Sequence, residues 1–125
     1  MLKTIAVDKK GNILTDVSLE RLKEQDIAWY WVDFDTPTRS EINLLTTFFK
    51  FHELLIEDCL TLLQRPKIEI TRQQIFLVSH VLKNIDDDYE TLNMFVGKNY
   101  IVTFHLSHIR YVNKIVPKIL QRGAE

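Results

Sequence analysis

The stretch that decides the fold class of this chain lies at residues 75–105 and reads IFLVSHVLKNIDDDYETLNMFVGKNYIVTFH. Its apolar segments have the length of strands and lie at residues 75–82, 91–97 and 100–105. A compact turn signal, Gly-Lys-Asn at residues 97–99, separates the last two segments, and the connector at residues 84–90 carries successive aspartates. The stretch therefore predicts several strands in succession near the end of the chain.

Further strands are predicted before this stretch. Residues 2–7 and 13–14 flank a Lys-Lys-Gly-Asn turn signal and predict a hairpin. Residues 27–34, IAWYWVDF, are rich in aromatic and β-branched side chains and predict a buried strand. The alternation Ile68-Glu69-Ile70 predicts another strand.

Helix signals lie between these strands. Ser18 is suited to cap a short helix over residues 19–24. Thr38 and Glu41 match a capping box, although Thr36 before Pro37 is an equally acceptable helix start. The apolar stripe that follows in this helix comprises Ile42, Leu44, Leu45, Phe48 and Phe49.

Two more helices are predicted further along. One covers residues 53–63, and Pro66 prevents its continuation. The other is an apolar stripe over residues 109–120, with a kink or break expected at Pro117. Helices interspersed with early and late strands predict an α+β fold, a mixed β-sheet flanked by helices.

Size and composition exclude several classes of protein. The chain has 125 residues, which fits a single domain over residues 1–125. Its 16 basic and 17 acidic residues nearly cancel, so no basic field indicates a nucleic-acid partner. A single cysteine excludes an internal disulfide, and no run of eighteen apolar residues predicts a membrane span. The sequence therefore predicts a soluble domain.

The helix predicted at residues 53–63 carries two adjacent acids within an otherwise largely apolar sequence. On a helical wheel at about 100° per residue, the apolar arc contains Leu55, Ile56, Cys59, Leu60, Leu62 and Leu63. Glu57 and Asp58 fall on the opposite arc and are expected to face outward. They form either an ordinary solvated face or part of a divalent-cation site, since Mg²⁺ takes oxygen ligands and keeps several waters. Two carboxylates do not complete such a site alone.

The sequence around these acids resembles a known family. Phe51-His52 and Ile56-Glu57-Asp58, followed by Gln-Arg-Pro-Lys-Ile-Glu at residues 64–69, are similar to the hallmark of the cytosolic N-terminal domain of CorA-type magnesium transporters. Supporting matches are Trp-Val-Asp at residues 31–33 and Tyr-Ile-Val-Thr-Phe-His at residues 100–105. The resemblance covers roughly residues 1–122. One departure is Glu53, where the family usually has proline.

The resemblance implies an α/β/α sandwich that assembles as a homopentamer in the full-length protein. It further implies that Asp58 first and Glu57 second share weakly bound regulatory Mg²⁺ with an aspartate on the stalk helix of a neighbouring subunit. That helix, and two membrane spans with a Gly-Met-Asn signature, are expected beyond residue 125. The domain is then expected on the cytosolic side of the cell membrane, as a cation-sensing part of a transporter. Whether Glu53 joins the acidic site stays open.

Other candidate sites have simpler explanations. His105 and His108 have a spacing that zinc ligands use, but a third ligand is missing and hydrogen-bonded histidines are the default. Cys59 lies on the apolar arc, so inert packing is expected. The aspartates at residues 86–88 lack the spacing of a calcium loop. Arg65 and Lys67 are expected to meet the carbonyls at the end of the preceding helix.

Three classes of function follow from the sequence. The first is a regulatory domain of a magnesium transporter, with a zinc-transporting branch of the same family as an alternative. The second is a free-standing binding or oligomerisation module unrelated to transport. An enzyme comes third, because no constellation of catalytic residues is recognisable, and we expect none.

Overall fold

The computed structural model describes residues 1–61, 65–82 and 89–107. Strands and helices follow one another in the predicted order. The elements are β1 (Leu2–Asp8), β2 (Ile13–Thr15), α1 (Leu19–Leu22), β3 (Ile27–Asp35), α2 (Arg39–Thr47), α3 (Glu53–Leu60), β4 (Lys67–Ile70), β5 (Ile75–Leu82), β6 (Tyr89–Val96) and β7 (Tyr100–His105).

All strands form one seven-stranded sheet with the order β2-β1-β3-β7-β6-β5-β4. Strands β3 and β7 pair in parallel at its centre, with Val32 opposite Val102, and the other neighbouring strands pair antiparallel. A parallel pair requires a long crossover connection, and here that connection contains α2, α3 and the strands β4–β6. The predicted α+β fold with a mixed sheet is confirmed.

Apolar side chains from α2 and α3 share a core with one face of this sheet. The sheet contributes phenylalanines that are fully buried, namely Phe34, Phe76, Phe95 and Phe104. The helices contribute Leu45, Leu55, Ile56 and Cys59, which belong to the same cluster. Phe51, between the two helices, stacks on Phe95 with ring centroids 4.0 Å apart. This packing fixes the position of α3 on the sheet.

The helix starts follow the predicted caps. The Ser18 side chain accepts a hydrogen bond from the Arg21 N–H at the start of α1. At α2 both bonds of the capping box are present, from the Glu41 N–H to Thr38 Oγ1 (3.2 Å) and from the Thr38 N–H to Glu41 Oε1 (2.9 Å). The alternative start is not used, because Thr36 has a positive φ of 45°.

Several boundaries differ from the prediction. Helix α3 ends at Leu60 rather than at residue 63, since Thr61 is extended (φ −85°, ψ 122°) and its N–H bonds the Asp58 carbonyl. Leu60, predicted on the apolar arc, is 44% exposed. Strand β6 begins at Tyr89, inside the predicted connector. The aspartates at residues 86–88 and the helical stripe at residues 109–120 lie outside the described residues.

Candidate metal site

Helix α3 carries the predicted acids, and its first turn explains how it begins. His52 is the N-cap residue, and its Nδ1 accepts a hydrogen bond from the Leu54 N–H at 3.1 Å. Glu53 follows as the first helical residue. A carboxylate there interacts favourably with the N-terminal end of the helix dipole. Glutamate in place of the family's usual proline is therefore compatible with the helix.

The two acids lie outside the buried face of α3 and differ in exposure. Leu55, Ile56 and Cys59 are buried, with 4%, 9% and 1% exposure. Glu57 is exposed, whereas Asp58 is half-buried, with 24% of its side chain accessible. The outward direction expected for Glu57 agrees with the structure, whereas Asp58 lies at the edge of the buried face with its carboxylate against Lys67 of β4.

Asp58 forms a salt bridge with a lysine of its own chain. The Lys67 ammonium donates a hydrogen bond to Asp58 Oδ2 at 2.7 Å, and it also lies 3.2 Å from Glu69 Oε1. The bond to Asp58 is the main cause that raises the pKa of Lys67 above its usual value. The predicted role of Lys67 at the helix carbonyls is thus wrong, because β4 carries this side chain to the carboxylate instead.

The sequence indicates only that Lys67 and Glu69 share a face of their strand. Lys67 and Glu69 are two residues apart in a strand, and they therefore point to the same face of the sheet. That face is the one on which α3 packs, since the adjacent β5 residues opposite them are the buried Val78 and Phe76. The pairing with Asp58 itself depends on how α3 is placed over β4, which no local pattern specifies.

The carboxylates fit part of a magnesium site. Mg²⁺ is typically bound through one or two carboxylates and keeps several waters, and Asp58 and Glu57 supply oxygens of this kind. Within the described ranges, no group of three or more His, Cys, Asp or Glu side chains is placed to hold a metal ion. The donor chemistry therefore suits Mg²⁺, while most of its coordination shell has to come from water or from another segment.

His105, one half of the suggested zinc pair, is engaged in a different interaction. Its Nε2 lies 2.9 Å from Asp33 Oδ1, and its Nδ1 lies 2.7 Å from the Ser107 carbonyl oxygen. Both partners can accept hydrogen bonds, so this geometry favours the form of the ring with a proton on each nitrogen. Burial opposes the charge, but the hydrogen bond and the attraction of Asp33 outweigh it and raise the pKa of His105. His108 lies outside the described residues.

The other single candidates agree with their simpler explanations. Cys59 is buried, and this burial raises the pKa of its thiol, so no reactive thiolate is expected. Trp31 is buried, and its Nε1 donates to Thr103 Oγ1 at 2.9 Å. Trp29 and Tyr30 are half-buried and pack against the two apolar clusters of the fold. These aromatic residues belong to the core.

Comparison with known proteins defines the class of this chain. The profile of the family described as "CorA-like Mg2+ transporter protein" matches residues 26–125. The match includes α3, β4 and the side chains of Glu57, Asp58 and Lys67. The chain therefore belongs to the CorA-like Mg²⁺ transporter family, as the resemblance of its motifs predicted.

One relative and two solved structures illustrate this membership. "Putative metal ion transporter YfjQ" of Bacillus subtilis (strain 168) is 37% identical over 129 residues, covering 98% of this chain and 40% of that protein. The soluble domain of CorA from Methanocaldococcus jannaschii aligns with a TM-score of 0.70 at 16% identity, covering 95% of this chain and 46% of that chain. The full-length CmaX protein aligns with a TM-score of 0.77 at 14% identity, covering 98% and 39%.

The relative and the two structures establish different things about this chain. The two structures confirm the fold, because identities this low carry no residue roles. The chain spans 40% of the length of the Bacillus relative. Across residues 1–61, 65–82 and 89–107, no helix is both long and apolar enough to cross a bilayer.

Proposed function

We propose that this chain is the cytosolic regulatory domain at the N-terminal end of a CorA-type magnesium transporter, and that it senses divalent cations through Asp58 and Glu57. Membership of the family supports the transport context. The observation that carries the sensing role is that α3 places two adjacent carboxylates outside its buried face, with Glu57 exposed and Asp58 half-buried. The proposal includes no catalytic role and no nucleic-acid partner, and it connects the domain to the membrane only through a further C-terminal part.

Asp58 is the primary ligand in this proposal, and Glu57 is the second. The shell is completed by water and by the stalk-helix aspartate of a neighbouring subunit in a homopentamer, as the resemblance implies. When bound, Mg²⁺ neutralises carboxylates that otherwise repel one another across the subunit boundary. Binding is weak, since the ligands are few and Mg²⁺ keeps its waters.

The apolar residues on the inner face of α3 hold the two acids in a fixed position. Leu55, Ile56 and Cys59 anchor the inner face of the helix in the core, so Glu57 and Asp58 keep a defined position relative to the sheet. A change at the acids is then transmitted to the domain as a rigid unit. A coupling free energy of about 1–3 kcal/mol between cation binding and a closed pore is ordinary for such linkage.

The test uses the full-length protein and the concentration of MgCl₂ that half-inhibits ion influx. Asp58→Ala is expected to raise this concentration at least about fivefold, the lower end of ordinary coupling. Glu20→Ala is the matched control, because Glu20 is an exposed acid on the separate helix α1. Inhibition of Asp58→Ala at the wild-type concentration would remove Asp58 from the mechanism.

The choice of transported ion is tested separately. Influx measured with Mg²⁺ and with Zn²⁺ in the same preparation distinguishes the magnesium proposal from the zinc-transporting branch. Transport of neither ion would favour a module unrelated to transport, against which the family membership already speaks.

A further inference from the structure

We infer that Lys67 is a built-in counter-ion that competes with the divalent cation for Asp58 and thereby sets the cation concentration to which the domain responds. This inference rests on the proposed function, since it assigns a regulator to the same carboxylate. Lys67 belongs to the Arg-Pro-Lys segment that follows α3 and leads into β4.

The geometry of the pair makes competition unavoidable. Lys67 Nζ lies 2.7 Å from Asp58 Oδ2, a distance at which the ammonium occupies that oxygen. A cation approaching Oδ2 has to displace the ammonium, and a cation on the other oxygen has a positive charge close by. Only 24% of the Asp58 side chain and 34% of the Lys67 side chain are accessible, so solvent screens this repulsion incompletely.

Glu69 provides a second partner for the displaced lysine. Its Oε1 lies 3.2 Å from Lys67 Nζ, and both residues project from the same face of β4. When Asp58 binds a cation, the Lys67 ammonium therefore keeps a carboxylate within reach and is not left without a counter-charge. The structure thus shows Lys67 bound to Asp58, together with Glu69 as the carboxylate that can hold Lys67 once a cation displaces it.

The same arrangement explains why competition shifts affinity without abolishing it. The pair is partly exposed, and ion pairs of this kind contribute modestly. Removing the charge of Lys67 is accordingly expected to lower the cation requirement about two- to tenfold. A larger role would require a fully buried pair, which the accessibility of both side chains excludes.

The experiment measures the MgCl₂ concentration that half-protects the full-length protein from limited proteolysis, a readout independent of transport. Lys67→Met is expected to lower this concentration about two- to tenfold relative to wild type. Lys67→Gln is the second variant, in case Lys67→Met fails to fold. Lys98→Met is the matched control, because Lys98 is an exposed lysine in the turn between β6 and β7 and is expected to leave the concentration unchanged.

The outcomes separate this inference from the proposed function. If Asp58→Ala raises the half-protecting concentration while folded Lys67→Met and Lys67→Gln keep the wild-type value or exceed it, the counter-ion role is overturned and the sensing role stands. If Asp58→Ala itself keeps the wild-type value, the sensing role fails first. The double variant Asp58→Ala/Lys67→Met is expected to have the same half-protecting concentration as Asp58→Ala. A lower concentration for the double variant than for Asp58→Ala would overturn competition at Asp58.

Discussion

His105 and Asp33 form an ion pair in the interior of the sheet, with His105 Nε2 2.9 Å and 3.0 Å from the two carboxylate oxygens of Asp33. Only 1% and 3% of the two side chains are accessible. The pair lies at the carboxyl ends of the parallel strands β3 and β7, where Asp35 also approaches the ring, at 3.7 Å from Nδ1. Lys3 of β1 in turn lies 3.6 Å from Asp35, and Thr103 of β7 donates its hydroxyl to Asp33.

This pair predicts how stability depends on pH. The pKa of His105 is raised in the folded state, so its contribution is fully present below the unfolded pKa of about 6.5. The contribution is lost as pH rises through the higher folded pKa. We therefore expect the difference in unfolding free energy between wild type and His105→Gln to shrink as pH increases from about 6 to about 9. Urea denaturation of both proteins across this range checks the prediction; a difference that stays constant would contradict it.

Removing the Asp33 carboxylate from the same pair is expected to lower the free energy of unfolding. Asp33→Asn leaves the buried imidazolium without its counter-charge, and breaking a buried pair in this way typically costs about 3–5 kcal/mol. Asp16→Asn is the matched control, because Asp16 is exposed and has a positive φ of 52°, which asparagine tolerates. Denaturant midpoints at neutral pH measure both effects, and a loss for Asp33→Asn no larger than for the control would show that the pair is dispensable.

The single cysteine provides a direct probe of α3 packing. Cys59 is 1% exposed, and burial raises the pKa of its thiol. Labelling by a thiol reagent therefore requires local opening of the helix, and we expect it to be at least about 100-fold slower in the native protein than in urea. Because the chain has only one cysteine, the rate needs no assignment. Rapid native labelling would show that α3 is not anchored as described.

The capping box of α2 is expected to have a measurable energetic value. Thr38→Ala removes the side chain that accepts the Glu41 N–H and is expected to lower the free energy of unfolding by about 0.5–2 kcal/mol. Thr46→Ala makes the same substitution at an exposed position within α2 and is expected to change stability by less than about 0.5 kcal/mol. Equal effects in the two variants would mean that the cap bond adds nothing.

Local features of the fold were predictable from sequence because they depend on neighbouring residues. The caps at Ser18 and Thr38, and each strand from β1 to β7, follow from side-chain chemistry and periodicity within a few positions. Helices α1 and α3 end at Leu22 and Leu60, before their predicted ends at residues 24 and 63. For α3 the apolar pattern of the sequence continues to residue 63, beyond the end of the helix. At α3 the extended residue Thr61, rather than Pro66, ends the helix.

Relationships between distant residues could not be predicted in this way. The exposure of Glu57 followed from the helical wheel, whereas the half-buried position of Asp58 and its bond from Lys67 depend on the placement of α3 over β4. Asp33 and His105 were each visible at the end of an apolar strand, but only the parallel pairing of β3 with β7 places them together. The metal-ligand role of Asp58 and Glu57 stays a prediction.

The parallel pairing of β3 and β7 also has a consequence for biosynthesis. The strands that it joins are far apart in sequence, since Val32 pairs with Val102. Until β7 has left the ribosome, the hairpin side β2-β1-β3 and the meander side β4-β5-β6 have no strand to connect them. Long-range pairing of this kind forms slowly. The nascent chain is therefore expected to remain two unjoined halves, and to depend on chaperones most, just before its last central strand emerges.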